Sequence, residues 1–286
     1  MGPDAFRTAG IAEAITELGH SVTDIGNLTP DTQPLPAHAN PEVYKLDETV
    51  GWTRTLTKAA VDHAPNGMPV FLGGDHALSL GSVAGMAEYA QQIDRPLFVL
   101  WLDAHTDYHT PNTTTTGNLH GTPLGYVCGR DGFDDFPPLA APIPADRLCM
   151  IGLRSVDPAE HDALSDTDAT LVDMRTIDEV GIVKPLQSFL DKVAAANGIL
   201  HVSLDVDFLD PSVAPAVGTT VPGGATVREA HLVMEMLCDS GAVCSLDLVE
   251  LNPFLDDRGK TASLMVDLTA SLLGRRVFDR PTRSYA

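Results

Sequence analysis

Asp103, His105 and Asp107 alternate at every second position in "WLDAHTD", and Asp205 and Asp207 repeat that spacing in "SLDVD". In an extended strand, residues two apart point to the same side. "PVFLGGDH" ends in Asp75 and His76, and "CSLDLVE" ends in Glu250. If His76 and the two alternating clusters meet, two imidazoles and four carboxylates face one point. That many acids repel one another unless cations sit among them. A carboxylate-rich donor set with a minority of histidine and no thiolate suits Mn²⁺ better than Zn²⁺, although imidazole also admits zinc, iron or nickel. Singly, each residue has an ordinary explanation, because an Asp after a strand commonly caps a helix or makes a turn. Asp157 and Glu160 in "RSVDPAEH" fit such a cap, with Pro158 at the first helical position, and Asp210 before Pro211 reads the same way.

All of these groups fall at the ends of short apolar, β-branched runs. Pro69 to Leu72, Leu97 to Leu102, Arg147 to Leu153, Ile199 to Leu204 and Cys244 to Val249 read as strands, with amphipathic helical patterns between several of them. This predicts an α/β fold in three layers, α/β/α, around a mostly parallel central sheet. In open parallel sheets ligands bind outside the carboxyl ends of the strands, which lets residues far apart in sequence share one crevice. Thr226 with Glu229 marks a helix start, and Gly241 its end. The opening "MGPDAFRTAGIAEAITELGHSVTDIGN" reads as a helix from about Asp4 to Leu18 followed by a short strand, and the Pro-rich "DDFPPLAAPIPAD" reads as a loop.

With 286 residues and 44% hydrophobic content, the chain is long enough for one large core. Its 18 basic against 39 acidic residues give a net charge of −21. Such a balance repels phosphate backbones and anionic lipid, argues against nucleic-acid and membrane partners, and favours a cationic ligand. Cys128, Cys149, Cys238 and Cys244 show neither a C-x-x-C spacing nor a dense framework, so no thiolate zinc site or disulfide scaffold is expected. Without a long apolar segment or a leader pattern, the cytoplasm is the expected location.

Taken in order, "GGDH", "DAHTD", "GNLHG", "SLDVDFLDPSVAPAVGTTVPGG" and "ELNP" closely resemble the ureohydrolase (arginase/agmatinase) family, and most of all its arginase branch. The resemblance covers nearly the whole chain. It implies a single catalytic domain over 1–286, a homo-oligomer, trimeric or hexameric, and two Mn²⁺ per subunit. The implied reaction is hydrolysis of the L-arginine guanidinium to L-ornithine and urea, with a metal-bridging hydroxide as nucleophile. Carried over by position, His76, Asp103, Asp107 and Asp205 hold one metal, and Asp103, His105, Asp205 and Asp207 the other. The catalytic group is then His120, Glu250 and Asp107, with Glu250 pairing the guanidinium and His120 moving protons. Thr114, Thr116 and Asn118 match the loop that takes the substrate α-carboxylate, while Asp157 and Glu160 lie near the α-amino group. His109, where Asn is usual, and Thr219 complete the substrate contacts. The family pattern also places a strand and a glycine-rich turn before "GPDAFR", which this chain lacks. Alternatives are another ureohydrolase, such as an agmatinase or guanidinobutyrase, and a non-catalytic metal-binding relative.

Overall fold

The computed structural model describes residues 1–276 and Phe278. Six strands, β1 (Val70–Leu72), β2 (Leu97–Leu102), β3 (Leu148–Leu153), β4 (Thr170–Asp173), β5 (Ile199–Asp205) and β6 (Val243–Val249), form one sheet in the order β1-β6-β5-β2-β3-β4. Every pairing is parallel. The helices are α1 (Gly2–Thr8), α2 (Ile11–Thr16), α3 (Leu46–His63), α4 (Ser79–Gln92), α5 (Pro123–Val127), α6 (Pro158–Ser165), α7 (Met174–Val180), α8 (Val183–Ala195), α9 (Val227–Ser240) and α10 (Lys260–Leu272).

Strand alternation divides the apolar side chains between two cores. Leu100, Leu102, Val202 and Leu204 pack with Phe189 of α8, Met234 of α9 and Met265 of α10 on one face. Val99, Trp101, Leu148 and Met150 pack with Val50 of α3, Val83 of α4 and Leu124 of α5 on the other. A sheet buried on both faces is why β2, β3 and β5 read as continuous apolar runs. The expected three-layer α/β/α fold is therefore present.

Two expectations need correction, and one strand went unforeseen. The opening helix is interrupted at Gly10, which takes a left-handed φ of 84° between α1 and α2. The strand expected after Leu18 does not form, and residues 20–38 carry no regular structure. β4 was not foreseen, because its four residues at the sheet edge carry a mixed burial pattern with no sustained apolar signal. The helix caps hold: Glu229 N–H donates to Thr226 Oγ1, and Gly241 closes α9 with a left-handed φ of 61°.

Candidate active site

Register gathers the chemically loaded residues. Leu102 pairs with Leu204, Leu204 with Leu248, and Leu248 with Leu72, so four strands end in one row. From β2 the chain moves outward to β3 and β4, and from β5 it moves the other way to β6. The β2/β5 boundary is thus the reversal point where parallel sheets open a crevice. Asp103, His105 and Asp107 follow β2 there, and Asp205 and Asp207 come off the end of β5.

His76 Nδ1 lies 2.9 Å from Asp103 Oδ2, 3.1 Å from Asp107 Oδ2 and 3.1 Å from Asp205 Oδ2. Beside this group, His105 Nδ1 lies 3.3 Å from Asp103 Oδ1 and 3.1 Å from Asp207 Oδ2. All six predicted metal residues therefore meet in two groups that share Asp103. Strand alternation is not what aligns them, however. β2 ends at Leu102, before the cluster, and Val206–Phe208 forms a 3-10 turn after Asp205. Backbone donors aim the carboxylates instead: His105 N–H to Asp103 Oδ1 (2.7 Å), Ala104 N–H to Asp207 Oδ1 (3.0 Å) and Asp207 N–H to Asp205 Oδ1 (2.7 Å).

The donor set fits divalent cations. His76 Nδ1 and Asp103 Oδ2 are buried and close, yet they make no hydrogen bond to each other or to any described group. Atoms placed this way aim at a shared point, as ligands of one ion do. Burial and the neighbouring Asp103 charge push Asp107 and Asp207 up to about 6. Burial, with Asp207 and Asp103 beside it, pushes Asp205 well above the carboxylate range. Although burial opposes a charged imidazole, hydrogen bonds to Asp103 and Asp207 hold His105 at about 11. Protons balance the charge here, and cations can take their place.

Next to these groups, Glu250 Oε1 accepts the His76 N–H (2.7 Å) and lies 3.6 Å from His120 Nδ1. The Glu250 carboxylate beside it raises the His120 pKa above its ordinary value, against the opposing effect of burial. Thr114 and Thr116 bring their hydroxyl oxygens to 3.4 Å, and Asn118 N–H donates to Thr116 Oγ1 (3.3 Å). His109 Nδ1 lies 3.0 Å from Thr113 Oγ1 in the same run. Its Nε2 lies 3.1 Å from Asp157 Oδ2 and 3.8 Å from Glu160 Oε2, so it joins the acidic pair. Asp157 and Glu160 also form the expected capping box of α6. Thr219 is exposed in the loop after Phe208, outside the contacts that gather the others.

Sequence reasoning missed the groups behind His76. Its Nε2 lies 2.8 Å from Ser203 Oγ, and its ring stacks on Trp101 with centroids 4.0 Å apart. Ser203 carried a signal, since it stands two positions before Asp205 on the same strand face. Asp247, fully buried, accepts from Ser79 Oγ and Ser82 Oγ at 2.6 Å each and ties the start of α4 to β6.

A family model described as Arginase family matches residues 1–274. The chain belongs to the arginase family. It is 61% identical to an arginase of Brucella melitensis, over 100% of this chain and 94% of that protein. An arginase of Agrobacterium fabrum is 58% identical over 100% and 88%. Among solved structures, the arginase from Bacillus caldovelox superposes with a TM-score of 0.89 at 34% identity, covering 97% of this chain and 93% of the other.

Proposed function

We propose that this protein is a manganese-dependent enzyme that converts L-arginine and water to L-ornithine and urea. The observation that carries the reading is the pair of buried His/Asp groups sharing Asp103, set directly beside the Glu250–His120 pair. His76, Asp103, Asp107 and Asp205 would hold one Mn²⁺, and Asp103, His105, Asp205 and Asp207 the other. When bound, two such cations supply a water acidified enough to deliver hydroxide near neutral pH.

The chain's own residues do the rest. Glu250 is fixed by the His76 N–H, so its carboxylate can pair the cationic guanidinium and hold it at one orientation. His120, whose pKa Glu250 raises, gives its proton to the departing amine nitrogen as the carbon–nitrogen bond breaks. At the far end, Thr114, Thr116 and Asn118 donate to the α-carboxylate, while Asp157 and Glu160 face the α-ammonium with His109 between them. Thr219 is assigned to the outer rim. The four cysteines are free thiols, in keeping with a reducing cytoplasm, and we assign a homo-oligomer, trimer or hexamer, by family.

The test is urea release from L-arginine, agmatine and 4-guanidinobutyrate after Mn²⁺ loading. L-arginine should show by far the highest kcat/KM. A ratio to agmatine at or below one would overturn the substrate assignment.

A further inference from the structure

The loop that carries Thr114, Thr116 and Asn118 is not held by its internal hydrogen bonds alone. A second segment, residues 40–44, lies across it. Asn40 donates both amide hydrogens to loop carbonyls, Nδ2 to Pro111 O (3.0 Å) and to Thr114 O (3.0 Å). Its Oδ1 accepts Glu42 N–H (3.1 Å), and its own N–H donates to His38 Nδ1 (3.0 Å). Asn40 is therefore saturated, and no other side-chain type offers two donors and an acceptor in that plane apart from a longer amide. The approach is close enough to dictate the loop sequence. Gly117 has a φ of +75°, and a Cβ there would lie 1.7 Å from Glu42 O. At the end of the segment, the Tyr44 hydroxyl donates to Asn118 Oδ1.

That last contact has a chemical consequence. An amide side chain presents an acceptor on one side and two donors on the other, and only the donor side suits an anion. With Oδ1 engaged by Tyr44, Nδ2 is the side of the Asn118 amide left to meet an anion. The threonines are set in the same sense. Thr114 Oγ1 accepts Gly117 N–H (3.1 Å), Thr116 Oγ1 accepts Asn118 N–H (3.3 Å), and the two hydroxyl oxygens lie 3.4 Å apart, so when one hydroxyl donates to the other the second still has its hydrogen to donate outward.

We propose that Asn40 and Tyr44 are positioning residues that set substrate specificity: Asn40 pins the backbone of the loop, and Tyr44 orients Asn118 toward a carboxylate. The inference rests on the reading of this loop as the α-carboxylate site. Neither residue touches the reacting atoms, so their effect belongs in binding and not in turnover.

The experiment uses the Mn²⁺-loaded enzyme and its Tyr44→Phe and Asn40→Ala variants. Calorimetry measures binding of L-ornithine and of putrescine, which is ornithine without its carboxylate, and kinetics compare L-arginine with agmatine. Each variant should weaken L-ornithine binding and raise KM for L-arginine by about tenfold, the weight of one hydrogen bond to a charged group. Putrescine binding, agmatine kcat/KM and kcat for L-arginine should change little. An unchanged ornithine-to-putrescine ratio in both variants would overturn the inference while leaving the carboxylate site standing. Equal losses for both ligands would also overturn it, since that marks a merely structural role. A wild-type enzyme that does not distinguish ornithine from putrescine removes the carboxylate site itself, and the inference with it. Tyr44 is half exposed and its ring is kept in the Phe variant, so that variant decides the matter if Asn40→Ala fails to fold.

Discussion

His76 is held on three sides, by Ser203 at Nε2, by three carboxylates at Nδ1 and by Trp101 against its ring. Groups behind a ligand fix its orientation, so Ser203→Ala should weaken Mn²⁺ binding by about 10–100-fold with the fold intact. Equilibrium dialysis reads this directly, and unchanged affinity would remove Ser203 from the metal site. Asp205→Ala goes further, because it strips a carboxylate proposed to serve both ions. It should lose bound Mn²⁺ and nearly all urea production, and full activity with one ion per chain by elemental analysis would sink the two-metal reading. His120→Asn should keep its metal and lower kcat by roughly 10²–10⁴-fold, the span of general acid–base help; loss of manganese in that variant would refute its assignment to proton transfer. Because Glu250 raises the His120 pKa, Glu250→Gln should move the His120 titration down toward its ordinary value, as followed by NMR of the ring protons.

At the scale of elements, what the strands deliver was readable and how they deliver it was not. The His and Asp types, their order and the strand ends that carry them stand in "GGDH", "DAHTD" and "SLDVD", and the parallel sheet follows from apolar runs buried on both faces. The turns that aim these side chains carry no such signal. Asp107 and Glu250 take φ values of 44° and 64°, in a region that side chains with a Cβ seldom occupy. Nothing in their residue types announces that conformation. Both sit at the site, where surrounding contacts over-determine the backbone, as the Glu250 N–H to Gly74 O bond (2.7 Å) does. The contact of residues 40–44 with the threonine loop was equally hidden, since it depends on which irregular segment lies over which. Helix caps, being local, were legible. Thr226→Ala should lower stability by about 1 kcal/mol and leave activity unchanged, because α9 sits behind the sheet. Denaturant unfolding checks the first part and a urea assay the second.

For the whole molecule, the proposed metal site should make stability depend on pH in opposite ways with and without metal. Asp107 and Asp207 titrate in the folded state at about 6, above the unfolded value near 3.9, so the metal-free fold binds extra protons between those limits. His105, at about 11, does the same above its unfolded value near 6.5. Stability falls with rising pH wherever the folded state binds more protons. Metal-free protein should therefore melt at a higher temperature at pH 5 than at pH 8, with Mn²⁺ reversing the order because the cation competes with those protons. Calorimetry with chelator and with Mn²⁺ decides this, and a metal-free Tm that rises from pH 5 to pH 8 would contradict it. The pairing of β2 with β5 also sets an order in time. Asp103 leaves the ribosome about a hundred residues ahead of Asp205, a delay on the order of ten seconds at common rates of synthesis. Throughout that interval the first cluster has no second half, and the strand it follows has no β5 beside it. On the proposed two-ion reading, the metals can be captured in full only by a chain whose later strand has already arrived, so uptake of the second ion would report that the centre of the sheet is closed.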